Sequence, residues 1–200
     1  MNQTYNQPVS ITFKNILDTE YTDKLREWRN QDFVRKNMTN HDIIEKEEHE
    51  KYIESLRKSD TNKVFVALNH GEPLAIVTIK INWEEKYVEP GTYIINENYL
   101  GKGYGIIMSY MRLEYIFELM PEGRMRTVIL DKNETNINLQ KKMGCVFEKH
   151  IQVEDNNGGQ EQASVFYLTK EMWDAGKGSI EERIENNFGL GNISRINIKD

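Results

Sequence analysis

Between positions 100 and 105 the chain reads Leu-Gly-Lys-Gly-Tyr-Gly, and glycine at every second place lets backbone N–H groups of this stretch approach a bound anion without side chains in the way. The apolar-periodic run IIMSYMRLEYIFELM follows at once, long enough to favour a helix whose N-terminal dipole end adds to the pull on a pyrophosphate. Main-chain donors of Gly101, Lys102, Gly103, Tyr104, Gly105 and Ile106 could therefore hold a cofactor phosphate with few basic side chains. Two other phosphate loops fit poorly. A dinucleotide-binding loop follows the first strand of a βαβ unit, whereas this one lies mid-chain after a hairpin-rich region, and the Gly-Lys-Ser/Thr ending of a P-loop is missing.

Several further side chains could do chemistry. Glu89 is a carboxylate placed to take a proton from an amine, although before Pro90 it also suits a solvated strand end. The unperturbed pKa of a histidine suits proton transfer at neutral pH, which makes His49 the other candidate base; on an amphipathic helix it also suits a structural role. Tyr93, Tyr99 and Tyr104 carry phenols that the sequence does not rank. Trp28 offers a platform for a sugar or base, or else a core residue, and the guanidinium forks of Arg29 and Arg35 match phosphate oxygens as well as surface carboxylates. Asn133 can cap a helix and touch a cofactor at once. Cys145, the single cysteine, sits in an apolar setting that favours a packed thiol; it excludes an internal disulfide, and no Cys/His cluster implies a metal.

The elements that must position these groups follow from periodicity. Alternation predicts strands over 9–16, on both sides of Asn69–Glu72, over about 88–96, over MRTVILDKN, and over CVFEKHIQVE and ASVFYLT around the turn DNNGGQ. Helical spacing predicts TDKLREWRN, a segment from about Ile43 to Arg57, the run after the glycine loop, and NETNINLQKKMG ending at Gly144. From Met172 onward the Gly- and Asn-rich sequence reads as a short helix and a loosely held tail, so residues 1–173 are expected to form the domain and 174–200 an extension.

The 200 residues, 38% of them apolar and 10% aromatic, suffice for one core. A net charge of −6 argues against a nucleic-acid partner, and no apolar run reaches membrane-spanning length. The polar opening lacks a secretory signal, so a cytoplasmic protein is expected.

Gly103 and Gly105 resemble the glycine places of Arg/Gln-x-x-Gly-x-Gly/Ala, a signature of the GNAT superfamily of N-acetyltransferases. The segment from Asn133 through Asn136, Ile137, Leu139, Gln140, Lys142 and Gly144 to Cys145 resembles a second one, Asn-x-x-Ala/Ser-Ile-x-Leu-Tyr-x-Lys-x-Gly-Phe. Leu100 stands at the Arg/Gln place, Asn136 at the small residue, Gln140 at the tyrosine and Cys145 at the phenylalanine. Glu27, Trp28, Arg29, Asn30, Arg35, Met38, Glu48 and His49 are similar to the front of amino-sugar N-acetyltransferases of the pseudaminic-acid type, parts of which polyamine and ribosomal-protein acetyltransferases share.

The resemblance implies an α/β fold, a mixed and mostly antiparallel seven-stranded sheet flanked by four helices, with acetyl-CoA between splayed fourth and fifth strands. It implies backbone donors near Ile94 and Ile95 at the acyl carbonyl, Asn133 and Asn136 beside the cofactor, and Trp28, Arg29, Asn30, Met38 and Tyr93 toward the acceptor. The expected reaction is direct transfer to a primary amine, first a nucleotide-linked amino sugar, then a polyamine, aminoglycoside or protein N-terminus. A homodimer is an open option. Glutamine at position 140 is not an ordinary proton donor, so thiolate protonation falls to water or to Tyr99 or Tyr104. Leu100 and Gln140 also motivate a rival reading, a CoA-binding sensor that has lost transfer.

Overall fold

The computed structural model describes residues 9–38, 40–154 and 159–188. One seven-stranded sheet runs through it in the order β1-β2-β3-β4-β5-β7-β6. The strands are β1 (Ile11–Asn15), β2 (Asn62–Asn69), β3 (Glu72–Asn82), β4 (Tyr87–Ile94), β5 (Arg124–Leu130), β6 (Val146–Glu154) and β7 (Gln160–Thr169). Every neighbouring pair is antiparallel except β4 and β5. The α-helices are α1 (Lys24–Arg29), α2 (Asp32–Arg35), α3 (Lys46–Arg57), α4 (Tyr104–Leu119), α5 (Glu134–Lys142) and α6 (Lys170–Phe188).

Period-two alternation gives the sheet two apolar faces. Val64, Val66, Leu68, Ile76 and Ile95 pack with Leu25, Ile53 and Leu56 on the side of α1 and α3. Phe65, Ala75, Val77, Ile79 and Val88 pack with Met108, Met111, Ile116 and Phe117 of α4 on the other.

Among the described residues six α-helices stand where four were expected. The one-turn α2 lies beyond the expected helix TDKLREWRN, in the polar stretch that follows it, and is separated from α1 by Gln31 in extended conformation. The second difference is at the C-terminal end, where the division expected at residue 173 falls inside α6, a 19-residue helix. Gly176 and Gly178 dominate that segment's composition, yet Trp173, Ile180, Ile184 and Phe188 are buried at helical spacing. Trp173 is 1% exposed, and its indole N–H donates to Glu114 Oε1 at 2.6 Å, fixing α6 on α4. The expectation for 189–200 lies outside the described residues.

The Trp173→Ala variant should lose about 3–5 kcal/mol of unfolding free energy, measured by denaturant titration, because it empties a ring-sized volume and takes the indole donor from Glu114, which keeps its contact with Lys177. A loss below about 1 kcal/mol would show that α6 is not part of the cooperative unit.

Candidate active site

The central feature is a ladder that stops. β4 and β5 are paired only at Tyr87↔Arg124 and Val88↔Met125, and Arg124 N–H donates to the carbonyl of Lys86 at 3.1 Å. In a parallel ladder donors alternate along each strand, so after Val88 the next amide that β4 must offer to β5 is that of residue 90. Pro90 has no N–H. Beyond it the two strands are unpaired, and a gap opens between them toward the C-terminal end of β4.

The β3–β4 register fixes which groups face the gap. Ile95 N–H donates to Leu74 O at 3.0 Å, and its carbonyl accepts from Gln31 Nε2 at 3.3 Å, so the backbone of Ile95 is committed on both sides. Alternation then sends the amide of Ile94 away from β3 and toward β5. The pair expected at the acyl carbonyl is thereby corrected: Ile94 can serve, whereas Ile95 is spent on sheet pairing.

At the end of β4 a short 3-10 turn (Glu97–Tyr99) leads into the glycine turn. Gly101 and Gly103 have φ of +72° and +86°, values that side chains disfavour, and Gly103 is the N-cap of α4. The amide of Ile106 turns back to Gly103 O at 3.0 Å. A Cβ on Gly103 would lie 2.9 Å from Phe188 Cζ, and one on Gly105 would lie 3.3 Å from Leu139 Cδ2. The turn thus faces two ways, packed against α6 and α5 on one side and presenting the N-terminus of a 16-residue helix on the other. Tyr104 is buried between Tyr99, edge-on at 5.0 Å, and Phe188 at 5.5 Å. Both phenols are therefore part of the turn's packing rather than of the strand gap.

Asn133 caps α5, its Oδ1 accepting from Asn136 N–H at 3.1 Å, and Asn136 Oδ1 accepts from Gln140 Nε2 at 2.9 Å. Gln140 Oε1 accepts from Cys145 Sγ at 3.5 Å, so both ends of this buried amide are engaged. Burial pushes the Cys145 thiol up to about 12, which makes it a packed thiol and not a nucleophile. Its neighbour Arg112, 4% exposed, reaches from α4 to β4 and donates from Nη1 to Thr92 Oγ1 at 2.9 Å. No sequence motif singles out this arginine; only the fold brings it to the unpaired stretch of β4.

On the opposite face an open cavity of ≈ 490 Å³ is lined by Trp28, Gln31, Phe33, Pro73, Ile95 and Asn96, with Glu72 and Glu97 on it as well. Trp28 does two jobs, packing 5.6 Å from the Tyr21 ring and lining this cavity. Arg29 donates from Nη2 to Asn40 O at 2.7 Å, while its buried Nη1 has no partner among the described residues. Burial lowers its pKa, and Tyr93 is close enough to oppose that shift; desolvation in turn raises the Tyr93 phenol, which stays neutral. Arg35 is used on His41 O and Asp32. Met38 is partly exposed beside this segment.

Three expected site residues have other tasks. Asn30 clamps the backbone of Ile44, donating from Nδ2 to its carbonyl and accepting its N–H, both at 2.9 Å, which uses up the amide. His49 is buried, with Nε2 3.1 Å from the carbonyl of Thr22, so the ring tethers α3 to the segment before α1 and is not a free base. Glu89 is paired at 3.4 Å with Arg126, whose guanidinium also lies over the Tyr87 ring, at the closed end of the gap. That ion pair occupies one carboxylate oxygen of Glu89.

The acetyltransferase (GNAT) domain family matches residues 16–160 of the chain, ending before α6. Among solved structures, the spermidine N-acetyltransferase of Vibrio cholerae in complex with CoA and spermine superposes with a TM-score of 0.73 at 17% identity, over 82% of this chain and 97% of that one. An aminoglycoside acetyltransferase in complex with coenzyme A and kanamycin gives 0.68 at 20% identity, over 84% and 99%. The N-acetyltransferase PseH of Campylobacter jejuni gives 0.58 at 17% identity, over 80% and 98%. At these identities the likeness is one of fold. No curated protein sequence matches. Among the described residues no helix is long and apolar enough to cross a membrane, and no cluster of metal-ligating side chains occurs.

The His49→Ala variant should lose about 1–3 kcal/mol of unfolding free energy by leaving the Thr22 carbonyl without a donor. His49→Gln should recover part of it. Equal stability of all three proteins would remove the tether.

Proposed function

Because the chain belongs to the acetyltransferase (GNAT) domain family, we propose that it transfers the acetyl group of acetyl-CoA to a primary amine of a small molecule, first among them a nucleotide-linked amino sugar. The observation that carries the reading is the unpaired stretch of β4 beyond Val88, which opens beside the glycine turn at the start of α4. The residues present fit the donor. The amides of Lys102 and Ile106 are engaged at Tyr99 O and Gly103 O, so those of Gly101, Gly103 and Gly105 suit the pyrophosphate; Asn133 and Asn136 stand at the neighbouring α5 N-terminus, and the inward amide of Ile94 suits the acyl oxygen. When bound, acetyl-CoA supplies an activated thioester, so the chain's task is to orient and to balance charge.

Ile94 would hold the acyl oxygen as it gains negative charge, and Trp28, Tyr93 and Arg29 would hold the acceptor on the opposite face. Glu89 is the carboxylate on that face for the amine proton, beside its ion pair with Arg126. For the acceptor, the unpartnered Nη1 of Arg29 favours an anionic group, and a diphosphate beside the amino sugar meets it. A second reading has its own support: Glu72 and Glu97 on the same cavity suit a polycation such as a polyamine or aminoglycoside. The assembly remains a monomer or a homodimer under either reading.

Thiol release from acetyl-CoA with a panel of a nucleotide-linked 4-amino sugar, spermidine and kanamycin tests the reaction. Turnover is expected, greatest with the sugar, and Arg29→Met should lower kcat/KM for that acceptor by about 10–100-fold while sparing uncharged amines. Stabilisation of the fold by CoA without turnover on any amine would favour a sensor.

Gly103→Val should weaken CoA binding at least about tenfold in titration calorimetry, whereas Gly176→Ala in α6 should leave it unchanged. Unchanged affinity in a folded Gly103→Val protein would remove the turn from the site.

A further inference from the structure

Gln140 has both ends of its amide engaged, and the phenols of Tyr99 and Tyr104 are built into the glycine turn. The gap is nevertheless supplied with a cation. Arg112 enters from α4, is 4% exposed, and spends only Nη1, on Thr92 of β4. Its Nε and Nη2 are buried and have no hydrogen-bond partner among the described residues. These two nitrogens share one edge of the guanidinium, so their N–H bonds run parallel in the arrangement that receives an anion side-on. Nothing acidic answers them from the elements around: Thr92 is neutral, Gln140 is neutral, and Cys145, the group whose charge reaches Arg112, is a thiol held in its protonated form.

An uncompensated guanidinium in a core costs stability, since removing a charge from water is repaid only by a full set of partners. Its position gives the cost a use. Arg112 touches β4 at Thr92, two residues before Ile94 in the stretch without a β5 partner, and it lies within electrostatic reach of Cys145, just after α5. β4 is one wall of the gap left where the strand ladder stops, and α4 and Cys145 cover the same face of the sheet.

We infer that the free Nε/Nη2 edge of Arg112 is an anion-holding site in the β4–β5 gap, which takes the negative charge of the acyl donor as its C–S bond breaks. The inference rests on the acetyl-CoA reading of the preceding subsection. The amine lone pair forms the new C–N bond, the C–S pair leaves with sulfur, and the proton shed by the amine reaches the thiolate through solvent. Arg112 moves no proton; burial lowers its pKa only to about 10, so it stays charged near neutrality. It supplies by charge what Gln140 cannot supply by proton donation.

The test needs no acceptor. Titration calorimetry compares S-carboxymethyl-CoA, which carries a carboxylate beyond the sulfur, with its neutral isostere S-acetonyl-CoA. The protein as it stands should prefer the anion by about tenfold or more. Arg112→Met should abolish that preference, keep CoA affinity within about threefold and melt at or above the parent temperature, because a purely structural arginine would lower it. Arg112→Lys, which keeps the charge and loses the fork, should retain part of the preference and carries the comparison if the methionine variant does not fold. Equal affinity of the parent for both analogues overturns the inference, as does a preference that survives in Arg112→Met. A parent protein that binds no CoA at all takes down the acetyl-CoA reading itself, a result distinct from CoA binding without anion preference.

Discussion

A parallel pair of strands needs a donor at every second residue, and β4 has none at Pro90. The loss of that single backbone hydrogen bond would matter little at a sheet edge, but here it falls at the only parallel junction of the sheet, where the chain turns from one antiparallel block to the next. The blocks stay joined at Tyr87 and Val88, with Glu89–Arg126 closing the same end. Beyond this hinge the amide of Ile94 points away from β3, to the side where the β5 ladder has stopped. An unpaired polar backbone in the middle of a sheet is costly unless a ligand or water completes it, which makes the gap a binding feature by its own energetics.

The two faces of the sheet then divide the work. On the side of α4 and α5, Thr92, Arg112, Gln140 and Cys145 are polar groups beside a core rich in methionines and isoleucines. On the side of α1 to α3 the described residues that flank α2, between Asn30 and Ile44, are held by side-chain hydrogen bonds to backbone carbonyls. Arg26 and Asn30 grip Ile44, Arg29 grips Asn40 and Arg35 grips His41. Such a wall depends on single hydrogen bonds, whereas the α4 face is packed by the larger of the two core clusters. Donor chemistry belongs on the rigid face and acceptor choice on the adaptable one.

Much of the fold was legible because period-two runs and one long apolar helix fall where the strands and α4 lie. The glycine turn was legible as well, since Gly101 and Gly103 occupy backbone that other residues resist. Roles that depend on what a side chain meets were not. His49 and Asn30 look like site residues in sequence and turn out to hold backbone carbonyls, since no local pattern says which carbonyl a distant loop presents. Pro90 was visible but reads as a mere neighbour of Glu89 until the β3–β4 register shows which side its missing N–H faces. Arg112 reads as one polar place in an apolar helix, and α6 was obscured by two glycines that composition weighs more heavily than four buried residues at helical spacing.

The contact between Phe188 and Gly103 ties the last of these elements to the first. Phe188 ends α6, and its ring fills the space that any side chain at position 103 would need. It also packs on Tyr104, the first residue of α4. The positive φ at Gly103 is thus held from outside as well as permitted from within, so the presentation of amides at the start of α4 depends on a helix that lies beyond the family match. Trp173 at the other end of α6 anchors that helix to Glu114, more than two turns further along α4. The C-terminal helix therefore works as a brace for the turn, and the stability of α6 and the geometry of the amides at the start of α4 are linked through Phe188.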